Sequence, residues 1–264
     1  MRGRSHHPLR GHQKPKAKAW YERGDGVARL AHDRALVARA YPSLGHRIDE
    51  DSGAIHLEGT LVYRAACGIP AAVSVRIDFP FDYPRREPRA FDVDGQFEHS
   101  LDRHFATDEG ACCLWLPPKS RWEPSDPDTL LTFLDEVAVF FHRQLVYDAG
   151  GRVAWPGPQY GHRIDGYEQW ITEEFGDDQA LRAFIPILNA NLKIGRNEKC
   201  PCGSQRKFKR CHNEMLEHIR REVGQLTLHR VFGSDRIGES APVEIGKPSE
   251  AQEPLAMVAG SSGC

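Results

Sequence analysis

Two stretches of this 264-residue chain concentrate side chains that can do chemistry. The first is CPCGSQRKFKRCH at 200–212. Cys200 and Cys202 stand one residue apart, Cys211 and His212 are adjacent, and eight residues separate the pairs. Zinc takes four soft or borderline ligands in a tetrahedron, and two close pairs joined by a short loop can supply them. Gly203 and Ser204 suit the turn after the first pair, and Lys207, Lys209 and Arg210 would offset three thiolates. With all four positions filled by protein, such a site is structural rather than catalytic. A segment this small has no core of its own, so metal is expected to be its fold, contributing roughly 10–16 kcal/mol. The bland alternative is a chance group of reduced cysteines in a basic loop; four ligand side chains at this spacing argue against it. The second stretch is GACCLW at 110–115, which sets Cys112 beside Cys113, with His104 upstream. A cysteine with a nearby histidine can serve as a nucleophile. The competing readings are a buried thiol and a loop histidine that bonds backbone. His99 is not expected to act as ligand or base, and Cys67, in an apolar stretch, is expected to pack.

These residues need elements to hold them. Residues 27–40 have apolar positions at three- and four-residue spacing and predict an amphipathic helix, with Asp25 as its cap and Pro42 beyond its end. Residues 55–64 and 71–79 are rich in Val, Ile, Thr and Tyr and predict an antiparallel hairpin. A third strand, AFDVD, is predicted at 90–94 after a proline-rich bend. Residues 95–128 form a long irregular loop whose Phe105, Leu114, Trp115, Leu116 and Trp122 argue for order. A helix at about 128–147 lines up Leu130, Leu131, Leu134, Val137, Phe141 and Leu145, and Gly150 and Gly151 end it. Residues 152–176 are expected to be ordered and to pack on or extend this first domain. Further helices are predicted at 178–192 and 212–229.

FPFDYPRREPRAF at 79–91, then His104, then GACCLW, then Trp122-Glu123-Pro124 form an ordered set. The set resembles the ubiquitin-conjugating enzymes, and in particular a bacterial conjugating-enzyme-like group. The resemblance covers about residues 25–150. It implies an α+β fold: a helix, an antiparallel meander, an active-site loop and further helices. It also implies that Cys113, the cysteine followed by leucine, is the nucleophile, with His104 at the family's catalytic-loop histidine and Trp122 bracing the loop. The implied chemistry is transthioesterification, for which a thiol needs little activation. Phe105 and Ala106 stand where the family has proline and asparagine, the asparagine being credited with oxyanion stabilisation. Both an active carrier and an inactive scaffold are compatible with that departure. A cysteine hydrolase using Cys113 and His104 is a third reading, but it has no orienting acid at a recognisable spacing. The run at 195–212 resembles the SEC-C motif, which implies a structural zinc ion and often a docking role.

The expected organisation is a basic arm at 1–19, a ubiquitin-conjugating-like domain at 20–165, a helical connector at 166–194, a zinc module with a helix at 195–230, and a disordered tail at 231–264. The formal net charge of -2 gives no global pull toward nucleic acid or membrane. No apolar run is long enough to span a bilayer and no secretory signal opens the chain, so a cytoplasmic protein with reduced cysteines is expected. The implied function is to accept a ubiquitin-like protein, or another protein's C-terminus, on Cys113 and pass it on. An activating-enzyme-like protein would supply it, and a nucleotidyltransferase is one implied target; relatives of this kind sit in antiphage defence operons.

Overall fold

The computed structural model describes residues 18–64, 70–106, 109–157 and 159–233. The readings made for the basic arm, Cys67, Cys264 and most of the tail lie outside these residues. The chain divides into two compact units, residues 1–162 and 163–264.

In the first unit, helix α1 (Gly24–Ala40) precedes four antiparallel strands in sequence order: β1 (Leu44–Ile48), β2 (Ile55–Arg64), β3 (Pro70–Asp78) and β4 (Arg89–Asp92). After a long loop comes α2 (Thr129–Ala149). Alternation decides which side of the sheet is wet. Leu57 opposes Ile77 and Leu61 opposes Val73, all buried, while Glu58 and Arg76 face one another on the exposed side. The buried face packs with Leu130, Phe133, Leu134, Val137 and Phe141 of α2 and with Leu30 and Val37 of α1 in one core. Gly59 is required where β1 crosses: a Cβ there would lie 2.1 Å from the Ser43 carbonyl oxygen, at φ +143°. The fold is thus α+β, in the element order that the conjugating-enzyme resemblance implies.

Four expectations shift. β1 went unread because its LGHRI carries few apolar residues and buries only Leu44 fully. Asp25 does not cap α1; the helix begins at Gly24 with Arg23 at the cap position, and Asp25 sits in the first turn, where its charge still suits the dipole. The helix read at 212–229 is two, α5 (Asn213–Val223) and α6 (Gln225–Phe232), broken at Gly224, whose φ of 73° no L-residue adopts cheaply. Residues 231 and 232, read as tail, close α6 and are buried.

The second unit contains α3 (Ile164–Phe175), α4 (Asp178–Asn189), the cysteine hairpin, α5 and α6. The segment expected to be a connector supplies much of this unit's core: Trp170, Ile171 and Phe175 from α3, and Leu181, Phe184 and Leu188 from α4. Leu216, Ile219, Leu228 and Phe232 come from the later helices. Arg220 reaches the Leu192 carbonyl at 2.6 Å, and the Gln225 amide reaches those of Leu188 and Asn189 at 3.1 and 2.8 Å, so side chains satisfy carbonyls at and beyond the end of α4. No described helix is long and apolar enough to cross a membrane.

Candidate functional site

The Cys112–Cys113 segment is held from both edges. The Cys112 N–H donates to the Ala90 carbonyl of β4 at 2.8 Å, and the Cys113 N–H donates to the His104 carbonyl at 2.8 Å. Bridges pair Phe91 with Ala111 and Phe105 with Cys112. Successive amides that bond to opposite sides mark extended backbone, in which side chains alternate. Cys112 and Leu114 both pack against the core. Cys113, half-buried, points to the opposite face of the segment from Cys112. The Cys112 thiol is pushed well above the usual range by burial, then by the neighbouring Cys113 and by Asp92, so it stays protonated at neutral pH.

His104 occupies the left-handed region at φ 56°, ψ 41°, closing a short 3₁₀ turn at Leu101–Arg103. Its backbone meets Cys113, but its imidazole is engaged elsewhere: Nε2 lies 2.9 Å from the Gln159 amide oxygen, and the ring sits 4.6 Å from Trp155 and 4.8 Å from His162. Burial, opposed by the Gln159 bond and reinforced by His162 and Arg143, lowers its pKa and favours the neutral ring. The turn before it is clamped to α2. Buried Arg103 grips the Asp148 carboxylate with both Nη atoms at 2.8 Å and donates Nε to Gln144 at 3.0 Å, while Gln144 donates back to the Arg103 carbonyl at 2.6 Å.

The far side of the loop is latched by Glu87, whose Oε2 accepts from Trp115 Nε1 at 2.8 Å and from the Ser120 hydroxyl at 2.7 Å. Burial raises its pKa against those two bonds. Trp122 braces the bend by donating Nε1 to the Pro84 carbonyl at 2.8 Å and packing against Tyr83 and Phe133.

Sequence reasoning missed one pair. Asp92, with its side chain fully buried, accepts from the Phe97 N–H at 3.0 Å and lies 3.4 Å from His99 Nε2. His99 stacks on Phe105 at 4.4 Å and lies against Gly110, where a Cβ would come within 3.0 Å of Nδ1. Alternation along AFDVD carries the signal: Asp92 follows Ala90 by two and must share its buried face.

In the second unit all four expected ligands converge. The ligand atoms of Cys200, Cys202, Cys211 and His212 all lie within 4.8 Å of one another and could hold a metal ion. His212 Nδ1 is 3.3 Å from Cys200 Sγ and 3.2 Å from Cys211 Sγ, and the Cys202 and Cys211 sulfurs are 3.6 Å apart. A tetrahedron with metal–sulfur bonds of about 2.3 Å has edges of about 3.5–3.8 Å, so these three separations match its edges to within a few tenths of an ångström. The Ser204 hydroxyl lies 3.2 and 3.3 Å from the Cys202 and Cys211 sulfurs, placed to orient both. Gly203, at φ +83°, makes the turn. The hairpin does not depend on metal alone: Phe208 is buried and stacks on Phe184 at 6.3 Å, and the His212 ring sits 5.8 Å from Phe175 and 5.1 Å from Phe184. The expectation that metal is its whole fold is corrected by that shared core.

The SEC-C motif profile matches residues 196–214. This hairpin is a SEC-C motif. The protein translocase subunit SecA of Bordetella pertussis is 44% identical over 43 residues, 16% of this chain and 5% of that protein, and those of Bordetella parapertussis and Bordetella bronchiseptica match to the same extent. The chain spans about one twentieth of the length of these curated relatives. Among solved structures, the yeast Vps23 UEV domain in complex with a Vps27 PSDP peptide is 18% identical, with a TM-score of 0.35 over 52% of this chain and 86% of that one. The Vps23 UEV with ubiquitin is 18% identical with a TM-score of 0.33, over 46% and 85%. A likeness at these scores is too slight to bear on function.

Proposed function

We propose that this chain is a ubiquitin-conjugating-like carrier with Cys113 as its nucleophile and a structural zinc ion held by Cys200, Cys202, Cys211 and His212. The observation that carries the reading is the held segment. Backbone bonds to β4 and to His104 fix an extended segment, so Cys112, packed against the core, and half-buried Cys113 point to opposite faces. The Cys113 thiol attacks the carbonyl carbon of an incoming thioester. The bond to the donor sulfur breaks, the donor leaves as a thiol carrying the proton, and the acyl group stays on Cys113. An amine or another thiol then takes it. His104 serves as a positioning residue, since its carbonyl holds the Cys113 amide and its ring is engaged with Gln159. An activating-enzyme-like partner charges Cys113 with a ubiquitin-like protein, the acceptor is a protein such as a nucleotidyltransferase, and the setting is antiphage defence. The resemblance in the loop motifs supports these partners.

A second reading, an inactive scaffold with a docking module, is favoured by one observation. Phe105 is fully buried and Ala106 has no side-chain donor, so neither of these two positions supplies an amide in place of the family's oxyanion-stabilising asparagine. One experiment separates the two. Incubated with the activating enzyme and modifier encoded beside it, the carrier forms an adduct that thiol reductants cleave. Cys113→Ala abolishes this adduct, Cys112→Ala retains it, and Cys113→Ser leaves a reductant-resistant ester. Absence of any adduct establishes the scaffold; an adduct lost only in Cys112→Ala moves the nucleophile to the neighbouring cysteine.

A further inference from the structure

The SEC-C hairpin carries a charge pattern that neither its fold nor its metal requires. Between residues 195 and 210 there are six cations, Arg196, Lys199, Arg206, Lys207, Lys209 and Arg210, and one acid, Glu198. All six are exposed. None forms an ion pair with a described acidic residue, although Arg206 also donates to the Arg210 carbonyl. Three thiolates around a divalent ion leave a net single negative charge, which one cation balances. Six cations less Glu198 and less that one unit leave four in excess.

The backbone fixes them in place. Phe208 N–H bonds to the Glu198 carbonyl at 2.8 Å, Lys209 N–H to that of Arg196 at 3.0 Å, and Cys200 N–H to that of Arg206 at 2.8 Å. In this register Lys199 and Lys207 are direct cross-strand partners. Like charges placed directly opposite destabilise an antiparallel pair. A hairpin that keeps both, with no acid between them, gains when an anion neutralises the pair.

The other exposed side chains narrow the class of partner. Every exposed residue from 195 to 210 is polar or glycine, and the apolar Cys200 and Phe208 are buried. A protein–protein interface has a less charged, more apolar centre depleted in lysine, which this face lacks. A face that is polar and strongly positive throughout matches a nucleic-acid backbone instead. It offers no exposed aromatic ring on which a base could stack, so contacts are to phosphates and are independent of sequence. The chain's net charge of -2 hides this concentration.

We infer that the SEC-C hairpin of this chain is a nucleic-acid docking face that binds the phosphodiester backbone through Lys199, Lys207 and the arginines and lysines beside them. The test is fluorescence anisotropy of the full zinc-loaded chain with two labelled probes, a 20-nucleotide single-stranded RNA and a 20-base-pair duplex DNA, titrated from 50 to 300 mM salt. About four phosphate contacts give a log–log salt slope of about -3 on the single strand and about -4 on the duplex. A probe bound at least tenfold better by this measure identifies whether RNA or DNA is preferred. Lys199→Gln with Lys207→Gln weakens binding at least tenfold at 50 mM salt and flattens the slope by about 1.5–2, with zinc content unchanged. Should that pair lose its metal, Arg196→Gln with Lys209→Gln reads the same face. Three results overturn the inference. One is no binding of either probe at 50 mM salt. Another is undiminished affinity in a zinc-retaining double variant, which would move binding to other basic residues such as those at 2–18. The third is competition by polyglutamate as effective as by RNA of equal charge, which would indicate an acidic protein partner.

Discussion

Replacing Arg103 with methionine tests how the candidate loop is held. Methionine keeps the buried length of the side chain and removes the guanidinium. Three hydrogen bonds go: one from Nε to buried Gln144 at 3.0 Å and two to Asp148 at 2.8 Å. A bond to a charged group contributes about 1.5–3 kcal/mol when sheltered. The Asp148 side chain is 35% exposed, so the two bonds to it are discounted for screening to about 1 kcal/mol together. The Nε bond adds about 1.5 kcal/mol, and the Gln144 oxygen, left buried without its donor, adds a comparable cost in part. The sum is about 3 kcal/mol, or a fall in Tm of about 6–12 °C for a unit of this size. Arg103→Lys should recover only about 1 kcal/mol, because one ammonium cannot reproduce the fork. The pH dependence fixes the sign. The Asp148 pKa is held down, first by the Arg103 hydrogen bonds and against a small burial penalty. Its share of the stability is present above the unfolded carboxylate value of about 3.9 and is lost as pH falls through the lower folded value. The gap between parent and variant therefore narrows only below about pH 4. Urea unfolding at pH 7 and at pH 3 measures both points. A methionine variant within 0.5 kcal/mol of the parent, about the size of a change at an ordinary surface position, or a lysine variant fully equal to it, would refute the clamp.

Glu87→Ala leaves the Trp115 and Ser120 donors without their shared acceptor and should cost about 2 kcal/mol; it should also shift Trp fluorescence and slow adduct formation while Cys113 stays intact. Gly110→Ala should be worse than a surface glycine change, because its φ of +72° is strained and the new Cβ meets the His99 ring; thermal unfolding checks it against Gly95→Ala, where the φ is positive but no atom stands within 4 Å. Cys200→Ser or Cys211→Ser should remove the single equivalent of zinc measured by elemental analysis, yet leave most of the helical circular dichroism of residues 163–233, since Phe208 and Phe184 remain packed. Residues 18–162 should fold alone with an undiminished urea transition, and loss of cooperative unfolding in that fragment would mean that the division at 162 is misplaced.

What could be read in the sequence was what repeats or what sits close along the chain. The metal ligands lie within thirteen residues, so spacing alone brings them together, and the structure adds the Ser204 hydroxyl and the Phe175 and Phe184 rings beside His212. β2, β3 and α2 have strong periodicity and fall within one or two residues of where the pattern puts them. β1 lacks that pattern because it packs little more than Leu44. That α3 and α4 belong to the second unit's core was invisible for a different reason. Helices α3 and α4 are amphipathic in the way any core helix is, and nothing in a period says which core a helix joins. Arg103 shows the same limit: its partners Gln144 and Asp148 lie 41 and 45 residues away, and only the fold supplies that contact.

The adjacent cysteines show both sides of that limit. Composition makes them equivalent, and their local sequence makes them nearly so. Strand geometry separates them, because a segment paired on both edges must point neighbouring side chains to opposite faces. Asp92 then deepens the difference. Its carboxylate is fully buried, one of its oxygens has no hydrogen-bond partner, and its field adds to burial in keeping the Cys112 thiol protonated. The proposed carrier gains from this arrangement, since the Cys112 thiol is kept protonated and does not exchange the acyl group with Cys113. Asp92→Asn removes the charge while keeping the shape. It should lower the Cys112 pKa, measured by the pH dependence of iodoacetamide labelling resolved by mass spectrometry, and leave Cys113 labelling unchanged. Equal shifts at both cysteines would show that the two thiols share one environment and that the alternation argued for this strand is absent.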